Sequence, residues 1–347
     1  MELGTILIAG TPQPNKAGHL LHGPGTHRRP PLTGNYPVVF WDLLGKSVIQ
    51  RTIDHLRAAG SQLAAVVVRE ESLEAGESPW EKVFLDYARN GVERIFLISL
   101  EAYCEFPVDD VVRFHRSSQS QVTNVLDEQG PLGISLVEAK CSDGNLGSFR
   151  NRIAALASCS SAYEFRGYSH RLAGPFDYRK LVEDALAGRC ALKPIGREVR
   201  PGIWCGTGAR ISSSARILGP TYIGNRARVR AGAVIAPGTS VEQHSEVDCG
   251  TVIEKSSILP HTYLGPGLRV AQSIVSGSRL FHLGRNVDVE LAQTGLLGRK
   301  GPSASIRVLE SIGSLLGAFG AEPGSAVSTP SRTPASVDWV RSNGFFG

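Results

Sequence analysis

The sequence predicts two kinds of structure in tandem, an α/β layer domain over 1–190 and a three-sided solenoid of hexapeptide repeats over 195–285. Three observations predict them. Short apolar, β-rich runs alternate with helical patterns as far as Gly188; from Ile211 an aliphatic residue recurs at every sixth position; and glycine (39) and proline (20) concentrate at 10–37 and again after about 200. With 41% hydrophobic residues in 347, the chain can bury more than one core, which excludes disorder as its overall class.

The first strands are expected at 4–9, 63–68 and 94–99, and helices at 48–59, 79–90 and 108–115. Strands that are apolar throughout, alternating with helices, indicate a parallel sheet covered on both faces. Asp109 and Asp110 open the third helix, where acids suit the helix dipole and read as structural. A last helix over 177–187 ends in Gly188, whose freedom at positive φ suits a helix C-terminus, and the domain boundary is placed just after it.

The repeat runs through Ile211, Ile217, Ile223, Val229, Ile235, Val241, Val247, Ile253 and Leu259. Four residues after each of the first eight stands a small side chain, from Ala215 and Thr221 to Thr251 and Ser257. A period of six is neither strand-like nor helical, and it belongs to a solenoid whose hexads are each one short strand and a turn. Three hexads per coil stack Arg210, Arg228 and Glu246 on one outer face, about 4.8 Å apart, so that Arg228 is expected to pair with Glu246. A second face carries Arg216, Val234, Val252 and Val270, an outward apolar strip suited to packing against the first domain, the C-terminal helix or a second subunit. After 253 the register slips by one to Ile258, Leu264 and Val270.

Residues 304–319 place Ile306, Leu309, Ile312, Leu315, Leu316 and Phe319 at helical spacing, an amphipathic helix (300–320) expected to cap the open end of the solenoid; 321–347 reads as a mostly disordered tail. The net charge of +5 is too small to identify a nucleic-acid partner. No stretch approaches the ~18 apolar residues that span a bilayer, and the start lacks a basic signal-peptide region, so no membrane partner and a cytoplasmic location are expected. Six cysteines without close spacing read as free thiols.

The solenoid pattern resembles the left-handed parallel β-helix of hexapeptide-repeat proteins, and its handedness is taken from that resemblance. Acyltransferases of this kind use a histidine between coils as general base; the candidates, His244 and His261, read as solvated turn residues. The opening strand to Gly10, then Gly23-Pro-Gly25-Thr26, Arg28, Pro31-Leu32-Thr33, Pro37 and Leu44-Gly45-Lys46, resembles the sugar-1-phosphate nucleotidyltransferase (NDP-sugar pyrophosphorylase) family. That resemblance implies a shortened Rossmann-like nucleotide-diphospho-sugar-transferase domain ahead of the β-helix. It further implies an NTP bound at Gly10, Gly23, Gly25 and Thr26, phosphate charge met by Arg28, and Mg2+ held by Glu101 while a sugar 1-phosphate attacks the α-phosphorus. NTP and sugar 1-phosphate would be the partners, with a homo-oligomer formed through the β-helix. The sequence departs from the family pattern at His27, at Val38 in place of a lysine, and at Leu100-Glu101 in place of Gly-Asp. A non-catalytic homologue that binds a sugar nucleotide or a partner is therefore the second reading, and a hexapeptide acyltransferase the third.

Overall fold

The computed structural model describes residues 3–9, 38–61, 63–68, 79–141, 160–291 and 295–299. Gly10, Gly23, Gly25, Thr26 and Arg28, the expected helix at 300–320 and the tail at 321–347 lie outside the described residues.

The first part runs β1 (Leu3–Ala9), β2 (Asp42–Leu43), β3 (Lys46–Ser47), α1 (Val48–Ala58), β4 (Leu63–Val68), α2 (Pro79–Arg89), β5 (Arg94–Ser99), β6 (Ala102–Cys104), α3 (Val108–Ser118), β7 (Val122–Asp127), β8 (Gly130–Glu138), β9 (Ser161–Glu164), β10 (Ser169–Arg171) and α4 (Pro175–Leu186). Six strands form one sheet in the order β4-β1-β5-β8-β7-β9. Neighbouring residues divide between its two faces, as a pleated strand requires: Ile6, Ile95 and Val137 face a core with Phe84 of α2, whereas Leu7, Phe96 and Leu136 face a larger one with Ile49 and Ile53 of α1 and Val111 of α3. Both faces are thus covered.

The sheet is mixed rather than parallel. β1 runs parallel to β4 and β5, but β8 is antiparallel to both β5 and β7. The reason is a tight hairpin between β7 and β8, where Gly130 takes φ +114, a conformation that glycine alone adopts at ease.

From Ile203 onward the chain winds into three parallel ladders. One stacks Ile203–Cys205, Thr221–Ile223, Thr239–Val241, Ser257–Ile258 and Ser273–Ser276; the second runs from Arg210–Ile211 to Thr262–Leu264; the third from Arg216–Ile217 to Arg269–Ala271. Ile223, Val241, Ile258, Val247, Leu264, Ile235 and Ile253 are fully buried in the shaft between them. The small residues at the corners carry a second function. Ser245 Oγ donates to Leu259 O and accepts from Thr262 N–H, and Thr251 Oγ1 does the same with Gly265 O and Leu268 N–H, so buried hydroxyls tie these two corners to the following coil.

Several details correct the sequence reading. The slip falls after 253 as expected, shortening the coil from 18 residues (Arg228↔Glu246) to 17 (Glu246↔Tyr263). Leu259 therefore leaves the shaft and joins the core of the first part, and the corner hydroxyl becomes Ser256, which accepts from Ser273 N–H, instead of Ser257. For the same reason Val270 points inward opposite Ile253, and the outward column over Val234 and Val252 ends in Arg269. Glu246 pairs with Arg230 at 2.6 Å, two residues beyond the expected Arg228, since alternate residues share one side of a strand. Ile211, on the first coil, is 38% exposed because no described strand lies beyond it.

Depth in the shaft sets the expected cost of truncation. Ile253→Ala should lower unfolding stability by ~2–5 kcal/mol in a denaturant titration, whereas Ile211→Ala should cost under ~1 kcal/mol. Equal losses at the two sites would contradict the single shaft.

Candidate functional site

In the first sheet the chain passes from β1 to β4 on one side and later to β5 on the other. The strand order therefore reverses at β1, and the crevice at the carboxyl ends of such strands is where open α/β sheets bind ligands. Glu101 follows β5 at that edge. Leu100 N–H donates to Ile8 O at 3.1 Å, fixing the turn that presents Glu101 beside the end of β1. The Glu101 carboxyl is exposed and accepts from the Ser99 hydroxyl at 3.0 Å, while its backbone carbonyl accepts from Leu172 N–H at 2.7 Å. Glu101 is the one predicted site residue that the described structure contains.

Mg2+ commonly takes only one or two carboxylates from the protein and the rest of its oxygens from phosphates and water. An exposed, oriented carboxylate at this edge fits that donor set, although no group of three or more His, Cys, Asp or Glu suited to a metal occurs among the described residues. Nearby, Asp127 is committed elsewhere: it holds Arg171 through two contacts of 2.8 and 3.0 Å and accepts from Ser169, and although burial opposes it, these bonds keep its carboxyl below the usual range. Val38 opens a short 3-10 helix and packs, partly buried, against the larger core.

A second cluster, which the sequence reading missed, joins the two parts. The outer side of the first solenoid ladder, with Tyr222, Ile274, Phe281 and Leu259, belongs to the same core as Trp41, Leu43, Leu44 and Tyr178 of the first part. At its centre Glu242, fully buried, accepts Leu44 N–H at 3.0 Å and Gly45 N–H at 2.9 Å with its two carboxylate oxygens. Gln243 donates to Asp42 Oδ2 at 2.8 Å, and Arg51 closes the turn from within by donating to Leu43 O and Leu44 O at 2.8 and 3.0 Å. From α4, Arg179 donates to Gly238 O, Lys255 O and Ser257 Oγ, spanning adjacent coils.

Burial drives both carboxyls up, Asp42 to about 6 and Glu242 to about 8. For Asp42 the Gln243 amide and Arg51 oppose the shift; for Glu242 the charge of Asp42 adds to it, against the two amide N–H groups and Arg51. Gly45 is required twice over. Its φ is +99, and a Cβ would lie 2.5 Å from the Tyr222 hydroxyl and 2.8 Å from Ile195 Cβ. One signal in the sequence marked Glu242: the column following the inward aliphatic residue holds Gly206 and Gly224, then an acid where the first part docks.

His244 and His261, expected as separate turn residues, stack on successive coils with ring centroids 4.8 Å apart and planes 23° from parallel. Both are partly buried and sit at positive φ, 59° and 61°. Burial pushes the Cys104 thiol up to about 12 and raises that of Cys190, which leaves neither activated as a nucleophile.

No known protein-family model matches the chain. A curated relative, UTP–glucose-1-phosphate uridylyltransferase from Synechocystis sp., is 31% identical over 119 residues, which is 33% of this chain and 31% of the relative. The similarity is to a nucleotidyltransferase. The match spans about a third of that protein's length.

The raised carboxyls give a pH dependence of defined sign. A carboxyl held above its unfolded value favours the folded state while protonated, so the contribution of Glu242 to stability should fall as pH rises from about 4.5 to 8 and level off above it. Glu242→Gln should flatten that decline in denaturant titrations at pH 5 and 8, at a cost of ~1–2 kcal/mol for the lost amide contact. Gly45→Ala should destabilise by ~1–3 kcal/mol in the same titration, and a neutral result would remove the close approach to Tyr222 from the account.

Proposed function

We propose that the protein is a sugar-1-phosphate nucleotidyltransferase of the pyrophosphorylase type, transferring a nucleotidyl group from an NTP to a sugar 1-phosphate with release of pyrophosphate. One observation carries the reading: the similarity to a glucose-1-phosphate uridylyltransferase accompanies a sheet whose order reverses at β1, with the Glu101 carboxylate exposed at that edge. In this reading Gly10, Gly23, Gly25 and Thr26 bind the nucleotide, Arg28 meets the phosphate charge, and a left-handed β-helix follows the catalytic domain after about 190. Catalysis of this type rests on positioning and charge stabilisation, with little covalent work for the protein.

Glu101 would hold Mg2+, which when bound neutralises charge on the phosphate oxygens. The hydroxyl of Ser99 orients the Glu101 carboxylate, and the Leu172 N–H fixes its backbone. The turn at Leu44-Gly45, clamped by Glu242, sets the start of α1, where Ser47 Oγ accepts from Gln50 N–H and Lys46 pairs with Asp54 at 2.6 Å.

A non-catalytic sugar-nucleotide-binding homologue is the second reading, favoured by Val38, whose packing leaves no cation at the position where the family pattern has a lysine. Purified protein with Mg2+, UTP or another NTP and a panel of sugar 1-phosphates should release pyrophosphate, and Glu101→Gln should reduce the rate by about a hundredfold. Nucleotide binding by calorimetry without any turnover would select the second reading; neither binding nor turnover would reject both. Val38→Lys should tighten triphosphate binding in the same calorimetric titration.

A further inference from the structure

The two ends of the solenoid differ. At the far end Arg279–His282 and Val287–Glu290 extend one ladder as antiparallel strands, and Leu297–Arg299 pairs antiparallel with Thr262–Leu264 on another. At the near end the hairpin Arg197–Arg200 with Ile203–Cys205 precedes only one ladder. Among the described residues Arg210–Ile211 and Arg216–Ile217 each have a strand on one side alone. Arg210 N–H and Ser212 N–H donate to Ala227 O and Val229 O of the next coil, so the alternation of a strand turns the N–H and C=O of Ile211 outward, to the open side. Apolar surface accompanies this edge: Ile211 is 38% exposed and Leu218 43%.

Charge is one-sided there. Arg210, Arg216, Arg226 and Arg228 are exposed, and between 196 and 235 the one acid is Glu198, whose carboxylate accepts Gly202 N–H at 2.7 Å. Arg210 stacks directly on Arg228, like charge on like. One step further the same ladder carries such a pattern: Glu246-Val247 lies in register with Arg228-Val229, placing an acid, ion-paired with Arg230, in the outer column and an aliphatic residue in the shaft.

We propose that the open edge at Arg210–Ile211 accepts an extended segment of a partner protein, with alternating acidic and aliphatic residues, as an added strand. The backbone of Ile211 pairs with it, its acids lie over Arg210 and Arg228, and its aliphatic side covers Ile211. A second copy of this edge would set arginine opposite arginine, which disfavours self-pairing. A nucleic acid would engage the arginines but leave the apolar edge and the outward backbone groups unused. The proposal is independent of the nucleotidyltransferase reading.

The test uses the full chain and a fluorescently labelled octapeptide of alternating glutamate and valine, read by anisotropy. Saturable binding is expected, weakened about tenfold or more by Arg210→Glu. A peptide of the same sequence with N-methyl groups along its pairing side should bind at least about tenfold more weakly, because strand addition rests on main-chain hydrogen bonds. Equal binding by the N-methylated peptide, or by a single-stranded oligonucleotide of matched charge, would reduce the edge to a basic patch and overturn the proposal. Absence of binding would also overturn it; light scattering and proteolysis would then report whether a second copy or residues 300–347 of this chain occupy the edge.

Discussion

The two halves of the molecule depend on a carboxyl group buried where they meet. Glu242 extends from the solenoid and receives the N–H groups of Leu44 and Gly45 with both oxygens. Without those amides it would be an unpaired acid in a core of Tyr178, Tyr222 and Leu259, which is among the costliest arrangements a protein interior can hold. Its partners in turn exist only because the chain turns at Gly45, with a backbone conformation and a lack of side chain that let Tyr222 lie against it. Arg51 and Gln243 complete the arrangement from opposite sides, one from α1 and one from the coil. The docking is thus polar at its centre and apolar around it, so that it specifies a single relative placement where a purely apolar contact would tolerate sliding.

The solenoid was readable because its constraint is local and repeated. Each inward position admits only an aliphatic side chain and each corner only a small one, so the pattern of Ile223, Val241 and Ile235 announces itself without reference to anything distant. Even the shortened coil showed as a slip in register. What escaped the sequence reading lies outside that constraint: whether an arginine at 228 or 230 reaches Glu246 depends on side-chain direction, and Leu259 satisfied the period of six while facing the other way.

In the first part the opposite held. Apolar strands such as β5 look alike whether their neighbours run parallel or antiparallel, and a tight turn around Gly130 decided the matter for β8. The docking residues were harder still, since Asp42 and Glu242 are 200 positions apart in the chain and neither belongs to a motif. Of the candidate site, Glu101 entered only through the resemblance that sets Leu100-Glu101 where the family pattern has Gly-Asp, and the crevice beside it follows from strand order, a property that no single sequence displays.

Arg179 carries a further consequence. Its guanidinium, nearly enclosed, reaches the carbonyls of Gly238 and Lys255, which belong to successive coils and come within one side chain's span only when those coils are already stacked. Helix α4 therefore has no binding partner on an unwound solenoid, and the larger core of the first part, which α4 and Tyr178 help to close, lacks one wall until winding is complete. Because each half covers part of the other's core, the two are expected to melt together as one cooperative unit.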